Sequence, residues 1–141
     1  MTRLTEREVR RRLAGARVAL LGTVTGEDAP HLVPVTFELS GESLVIAVDH
    51  KPKRTTALAR LRNIAGNDRV SVLAQHYDDA DWAALWWARA DGRARVLTDG
   101  AERAEPVRRL CAKYAQYRAE PPAGPVISVA VQRWTGWAYT G

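Results

Sequence analysis

Cysteine is nearly absent. Cys111 is the only one, so no disulfide can form within the chain and a stapled scaffold is excluded. Histidine is scarce too. His31, His50 and His76 stand far apart without metal-ligand spacing, and no metal centre is expected. No apolar run approaches the ~20 residues that a membrane-spanning helix needs, and the charged segment 1–12 has no apolar signal core. The expectation is therefore a cytoplasmic protein without membrane contact. Also missing are GxGxxG, the phosphate-binding P-loop and GxSxG, which leaves dinucleotide-fold, NTPase and α/β-hydrolase readings without support. No repeat, low-complexity tract or linker interrupts the sequence, so a single domain over 1–141 is expected.

What is present fits a globular chain able to bury a core. Hydrophobic residues make up 46% and charged residues 26%. The net charge is +5 and the sequence pI is about 9.9. Such a surface either favours an anionic partner or serves solubility.

The order of elements reads as a β-rich meander with inserted helices. Thr5 with Glu8 forms a capping box, and Leu4 and Val9 fall at the staple positions of a first helix. Strands are expected at 17–24, 31–39, 43–49, 69–76, 86–97 and 126–132, joined by Gly26-Glu27-Asp28, Ser40-Gly41-Glu42 and similar turns. Gly92 suggests a bulge in the fifth strand. A short helix is expected after Thr55 or Thr56, through Leu58, Leu61 and Ile64. A longer one is expected over 102–118, with Val107, Leu110, Tyr114 and Tyr117 on one stripe. Six antiparallel strands with flanking helices predict a mainly β fold, a Greek-key split or closed barrel that removes exposed edges.

Three features could carry chemistry. Lys51-Pro52-Lys53-Arg54 crowds cations between a strand and a helix start, where free N–H groups also favour phosphate. On position alone it is a phosphate site or a solvated loop. Pro34 within Pro34-Val35-Thr36-Phe37 marks a strand edge or bulge, where a planar ring could meet free backbone or where the proline merely guards the edge. Trp82, Trp86, Trp87, Trp134 and Trp137 all lie in the second half, and successive Trp86 and Trp87 must point to opposite faces of a strand. Core filling or an interface would explain them. Asp78, Asp79 and Asp81 read as a surface loop, and Cys111 as an idle thiol.

These residues resemble a known family. The stretch Pro30-His31-Leu32-Val33-Pro34-Val35-Thr36-Phe37 follows a Gly-containing hairpin. Val48-Asp49-His50-Lys51-Pro52-Lys53-Arg54-Thr55, Leu61-Arg62-Asn63-Ile64 and Asp81-Trp82 come next. Leu85-Trp86-Trp87-Ala88-Arg89-Ala90-Asp91-Gly92-Arg93-Ala94 and the closing Trp134-Thr135-Gly136-Trp137 complete the pattern. In order and spacing the chain resembles the split β-barrel flavin/deazaflavin oxidoreductases, the pyridoxamine 5'-phosphate oxidase-like class. Within it the chain is most similar to the coenzyme F420-dependent branch. Family members often carry proline in the turn after the second helix; here it reads Asn67-Asp68.

The resemblance implies an FMN-binding-type split barrel that forms a homodimer with cofactor at the subunit interface. It implies a cofactor phosphate on Lys51, Lys53 and Arg54, with Val48, Asp49, Thr55 and Asn63 nearby. The ring would lie against Pro34, Val35, Thr36 and Phe37, covered by Trp87, Trp134 and Trp137. The implied activity is hydride transfer from reduced coenzyme F420 to a small conjugated or electron-poor substrate. No protein acid or base is implied, because the cofactor supplies the hydride. FMN in place of F420, and a non-catalytic binder of a tetrapyrrole or other planar anion, are the alternatives. Single-stranded nucleic acid comes last, because the basic loop and the tryptophans are far apart in sequence.

Overall fold

The computed structural model describes residues 2–48 and 55–140, with backbone alone at 55–58. The described residues form eight strands, all paired antiparallel, four α-helices and one 3-10 turn at Trp82–Ala84. In chain order they are β1 (Thr2–Arg3), α1 (Glu6–Gly15), β2 (Ala19–Val24), β3 (Pro30–Val35), β4 (Glu38–Ser40) and β5 (Ser43–Ala47). Then follow α2 (Thr55–Gly66), β6 (Arg69–His76), β7 (Trp86–Leu97), α3 (Gly100–Lys113), α4 (Ala115–Ala119) and β8 (Val126–Ala138). The strands form one sheet in the order β3-β2-β6-β7-β8-β5-β4, with β1 on β8.

The two outermost strands, β3 and β4, are separated in the chain by only Thr36 and Phe37. One bent stretch thus serves both edges of the curled sheet without pairing them to each other, and this is where the barrel is split. Inward positions alternate along each strand. Leu21, Val72, Ala88, Ala90 and Val129 are fully buried, and Phe37, Leu44 and Ile46 join them.

β7 and β8 pair over their whole length, from Trp86 opposite Ala138 to Leu97 opposite Val126, with a register shift at Asp91/Gly92. The bulge needs glycine, since a Cβ at Gly92 would stand 2.1 Å from the Ala130 carbonyl oxygen. α1 carries the expected capping box and sinks Val9 and Leu13 into the core. It approaches β8 over Gly136, where a Cβ would press on Val9 and Leu4 at 3.0 and 3.1 Å.

The structure corrects the expected six strands to eight. The single strand expected at 31–39 breaks at Thr36-Phe37, because side chains of the third helix replace ladder partners there. The Phe37 N–H donates to Tyr114 Oη at 3.1 Å, and the Phe37 carbonyl accepts from Lys113 Nζ at 2.9 Å. The last strand does not stop at 132 but pairs with β7 up to Ala138, and there it also holds β1. The helix expected over 102–118 is also two. Tyr114 leaves helical geometry (φ −113°, ψ 120°) between α3 and α4.

Candidate functional site

Tyr114 explains why the chain bends where it does. Its hydroxyl accepts from Phe37 N–H and lies 3.0 Å from both the Phe37 and Arg17 carbonyls, which share its one hydrogen. Beside it, the Lys113 side chain is only 5% exposed. Its ammonium sits 4.1 Å from the Phe37 ring centroid and 3.9 Å from the Glu38 carboxylate. Burial holds its pKa below the usual lysine range, against the pull of Glu38 and with help from Arg17. Burial also raises the Tyr114 phenol. Lys113 and Tyr114 thus clamp the split of the barrel, backed by Arg17, whose guanidinium donates to the Lys113 carbonyl at 3.0 Å and lies 4.8 Å from the Tyr114 ring centroid.

Against this clamp lies a cavity of about 360 Å³. Pro34 and Val35 of the sheet-edge strand β3 form one wall with Thr36, and Ala47 and Val48 at the end of β5 form a second. Arg60 of α2 contributes a third side. Gln116, Tyr117, Glu120 and Pro122 close the cavity from α4 and the segment after it. That last wall is pinned in several places. Arg118 donates to the carbonyls of Cys111 and Ala112 at 2.8 and 2.9 Å. Arg103 donates to those of Pro122 and Gly124 at 2.8 and 2.9 Å. The Cys111 thiol donates to the Tyr117 carbonyl at 3.3 Å. Inside, Thr36 Oγ1 and Tyr117 Oη form a hydroxyl pair at 2.7 Å.

Of the residues singled out from sequence, the structure gathers Pro34, Val35, Thr36 and Val48 at this cavity. Phe37 is not among them; its side chain is fully buried in the core. Asp49, Lys51, Lys53 and Arg54 lie outside the described residues, as does the side chain of Thr55. The described chain breaks off at Val48, on the cavity wall, and resumes at Thr55 as the start of α2. Asn63 lies elsewhere. It is buried, donates to Thr23 Oγ1 at 3.1 Å and lines a separate polar hollow between α2 and the β2–β3 turn.

Trp87 and Trp137 face each other across β7 and β8 and line a smaller recess of about 180 Å³ with Tyr77, Trp86 and Tyr139. Trp134 points the other way, packs on the core and lies 4.3 Å under the Arg10 guanidinium. None of these tryptophans lines the cavity beside β3 within one chain.

Sequence does not mark Arg60, Gln116, Glu120 or Pro122 as site residues, and it places Tyr117 only on the stripe of a helix. A helix continued to 118 puts residues 116 and 117 on a regular surface, and only the break at Tyr114 turns them into a wall. The pair Pro121-Pro122 accounts for the end of α4 at Ala119, not for the break at Tyr114. Among the described residues no three His, Cys, Asp or Glu side chains could hold a metal ion. No helix among them is long and apolar enough to cross a membrane.

The family model for pyridoxamine 5'-phosphate oxidase matches residues 5–138. The chain belongs to this family. Solved structures of the same fold include an FAD-binding protein of Mycobacterium smegmatis, 21% identical, with 97% of each chain covered and a TM-score of 0.66. Another is an FAD-binding protein of Mesorhizobium loti, 16% identical, covering 96% of this chain and 95% of that one, at 0.73. A heme-binding protein of M. smegmatis is 22% identical over 98% of this chain and 60% of its own, at 0.72. No curated protein matches the sequence. Membership fixes the pyridoxamine 5'-phosphate oxidase-like split barrel, and likeness at these identities speaks to fold alone.

Proposed function

We propose that this protein is a flavin-type oxidoreductase that seats the ring of its cofactor in the cavity beside β3. The observation that carries the reading is that Pro34, Val35 and Thr36, at the β3 border of the sheet, and Val48, three residues before Lys51 in sequence, wall one cavity together with Arg60 of α2. Pro34, Val35 and Val48 offer apolar surface for the faces of a planar ring. Thr36, Gln116, Tyr117 and Glu120 offer polar groups for its edge. The volume falls in the range of about 300–1,000 Å³ usual for small-molecule sites. The cofactor's phosphate is assigned to Lys51, Lys53 and Arg54, as charge-assisted contacts near the start of α2.

FMN or FAD leads among the cofactors, since two solved relatives are FAD-binding proteins. Coenzyme F420 is the second reading, favoured by the net charge of +5 opposite its anionic oligoglutamate tail. The bound cofactor would supply the hydride for a small conjugated or electron-poor substrate, and the protein would supply orientation and a water-poor cleft. The site is completed in a homodimer. Trp87 and Trp137 stand on the outer face of the sheet, apart from the cavity, so a second copy is what can bring such a face over the ring.

The test is a parallel titration of purified protein with FMN, FAD and F420, in wild type and in Lys53→Ala/Arg54→Ala. The double variant is expected to lose several kcal/mol of cofactor affinity, at about 1.5–3 kcal/mol per charge-assisted contact. Unchanged affinity removes the phosphate assignment. Tight cofactor binding without turnover of any electron donor would instead favour a planar-ligand carrier.

A further inference from the structure

The Thr36–Tyr117 hydroxyl pair holds two hydrogens, and the 2.7 Å bond between the two oxygens consumes one of them. Whichever group donates, the other keeps a free O–H. Among the described residues neither hydroxyl has another side-chain or backbone partner. Both residues line the cavity. Tyr117 is held in place by its edge-on contact with Tyr114, at 5.5 Å and 74°, and Tyr114 is itself fixed on the Phe37 backbone.

We propose that this pair is a ligand contact that donates its remaining hydrogen to a carbonyl-type oxygen on the edge of a planar ligand in the cavity. A ligand that displaces water from the pair must provide an acceptor, because a desolvated donor left unmatched is costly. An ammonium or a bare hydrocarbon edge is disfavoured on the same ground. The inference rests on the cavity taking a planar ring. The oxygen can belong to the cofactor ring or to a second planar ligand stacked near it.

The decisive variant is Thr36→Val/Tyr117→Phe, which removes both donors with little change of shape. The probes are lumiflavin, which carries the ring carbonyls without a phosphate, together with FMN, and menadione added to FMN-loaded protein. If the contact is to the cofactor ring, lumiflavin and FMN both bind about five- to tenfold more weakly, by the same factor. Competition by inorganic phosphate stays as in wild type. If menadione alone is weakened, the oxygen belongs to the second ligand and the contact stands. Unchanged affinity for all three, with only a lower thermal midpoint, reduces the pair to a brace between β3 and α4 and overturns the proposal.

Should the double variant fail to fold, the single variants Thr36→Val and Tyr117→Phe carry the test. The infrared carbonyl stretches of bound lumiflavin, or of menadione bound to the FMN-loaded protein, are expected to differ from those in wild type, and spectra identical for both overturn the proposal. Wild-type protein that binds lumiflavin, FMN and coenzyme F420 not at all sinks the cofactor reading itself, an outcome separate from a variant that binds as wild type does.

Discussion

At the scale of single residues, the least replaceable position among the described glycines is Gly92. The opposing Ala130 carbonyl oxygen would lie 2.1 Å from an added Cβ, and that oxygen is backbone in a paired strand. Gly92→Ala is expected to cost about 1–3 kcal/mol or more, the range for forcing atoms into packed space. Urea unfolding of the two proteins measures it, and an unchanged midpoint contradicts the bulge geometry. Lys113 gives a pH prediction. Its amine binds a proton more tightly in the unfolded chain, so the unfolded state carries more protons in the interval below the ordinary value of 10.5. Stability from this group therefore rises as pH climbs through that interval. Tyr114 acts in the opposite sense. Its raised phenol keeps its proton longer in the folded chain, so stability is lost once pH passes 10.0. The stability advantage of wild type over Lys113→Met should grow as pH approaches 10.5. A difference flat in pH would show that the buried ammonium is not desolvated.

At the scale of elements, the start of α1 was legible because its signals are local. Thr5 Oγ1 accepts from the Glu8 N–H at 3.2 Å, and Glu8 returns a bond to the Thr5 N–H at 2.8 Å. The Thr5 bonds hold the Glu8 carboxyl below its ordinary pKa. Thr5→Ala should cost about 1 kcal/mol, read from the thermal midpoint. The long helix over 102–118 was misjudged for the opposite reason. Val107, Leu110, Tyr114 and Tyr117 do keep helical spacing. But Tyr114 gains more by reaching the Phe37 backbone and the Arg17 carbonyl than by continuing the helix, and those partners lie 77 and 97 residues away. The strand at 31–39 broke against the same partner.

At the scale of the whole molecule, the outer face of the sheet bears on assembly. Leu20, Pro34, Leu73, Arg89 and Thr135 share one cross-strand row, and Gln75, Trp87 and Trp137 the next. Leu32 on β3 is 66% exposed, and Val18, just before β2, 58%. Apolar side chains left in water on one face suit a second copy. The expected solution mass is twice the chain's 15.6 kDa by light scattering, and Leu32→Glu should shift it towards the monomer. A monomeric wild type would remove the proposed covering of the ring.

By itself the sequence settled what rests on near neighbours: the capped first helix, the turns, the alternation of buried strand positions and the need for glycine at a bulge. It also placed Pro34, Val35, Thr36 and Val48 together, through resemblance to a family rather than through spacing. Tertiary structure alone decided where the sheet splits, where the third helix ends and which groups wall the cavity. Tyr117 meets Thr36 across 81 residues, and Arg103 fixes the connector around Pro122. Such contacts depend on closing long loops and on burying donors beside acceptors. Local propensity carries no information about either.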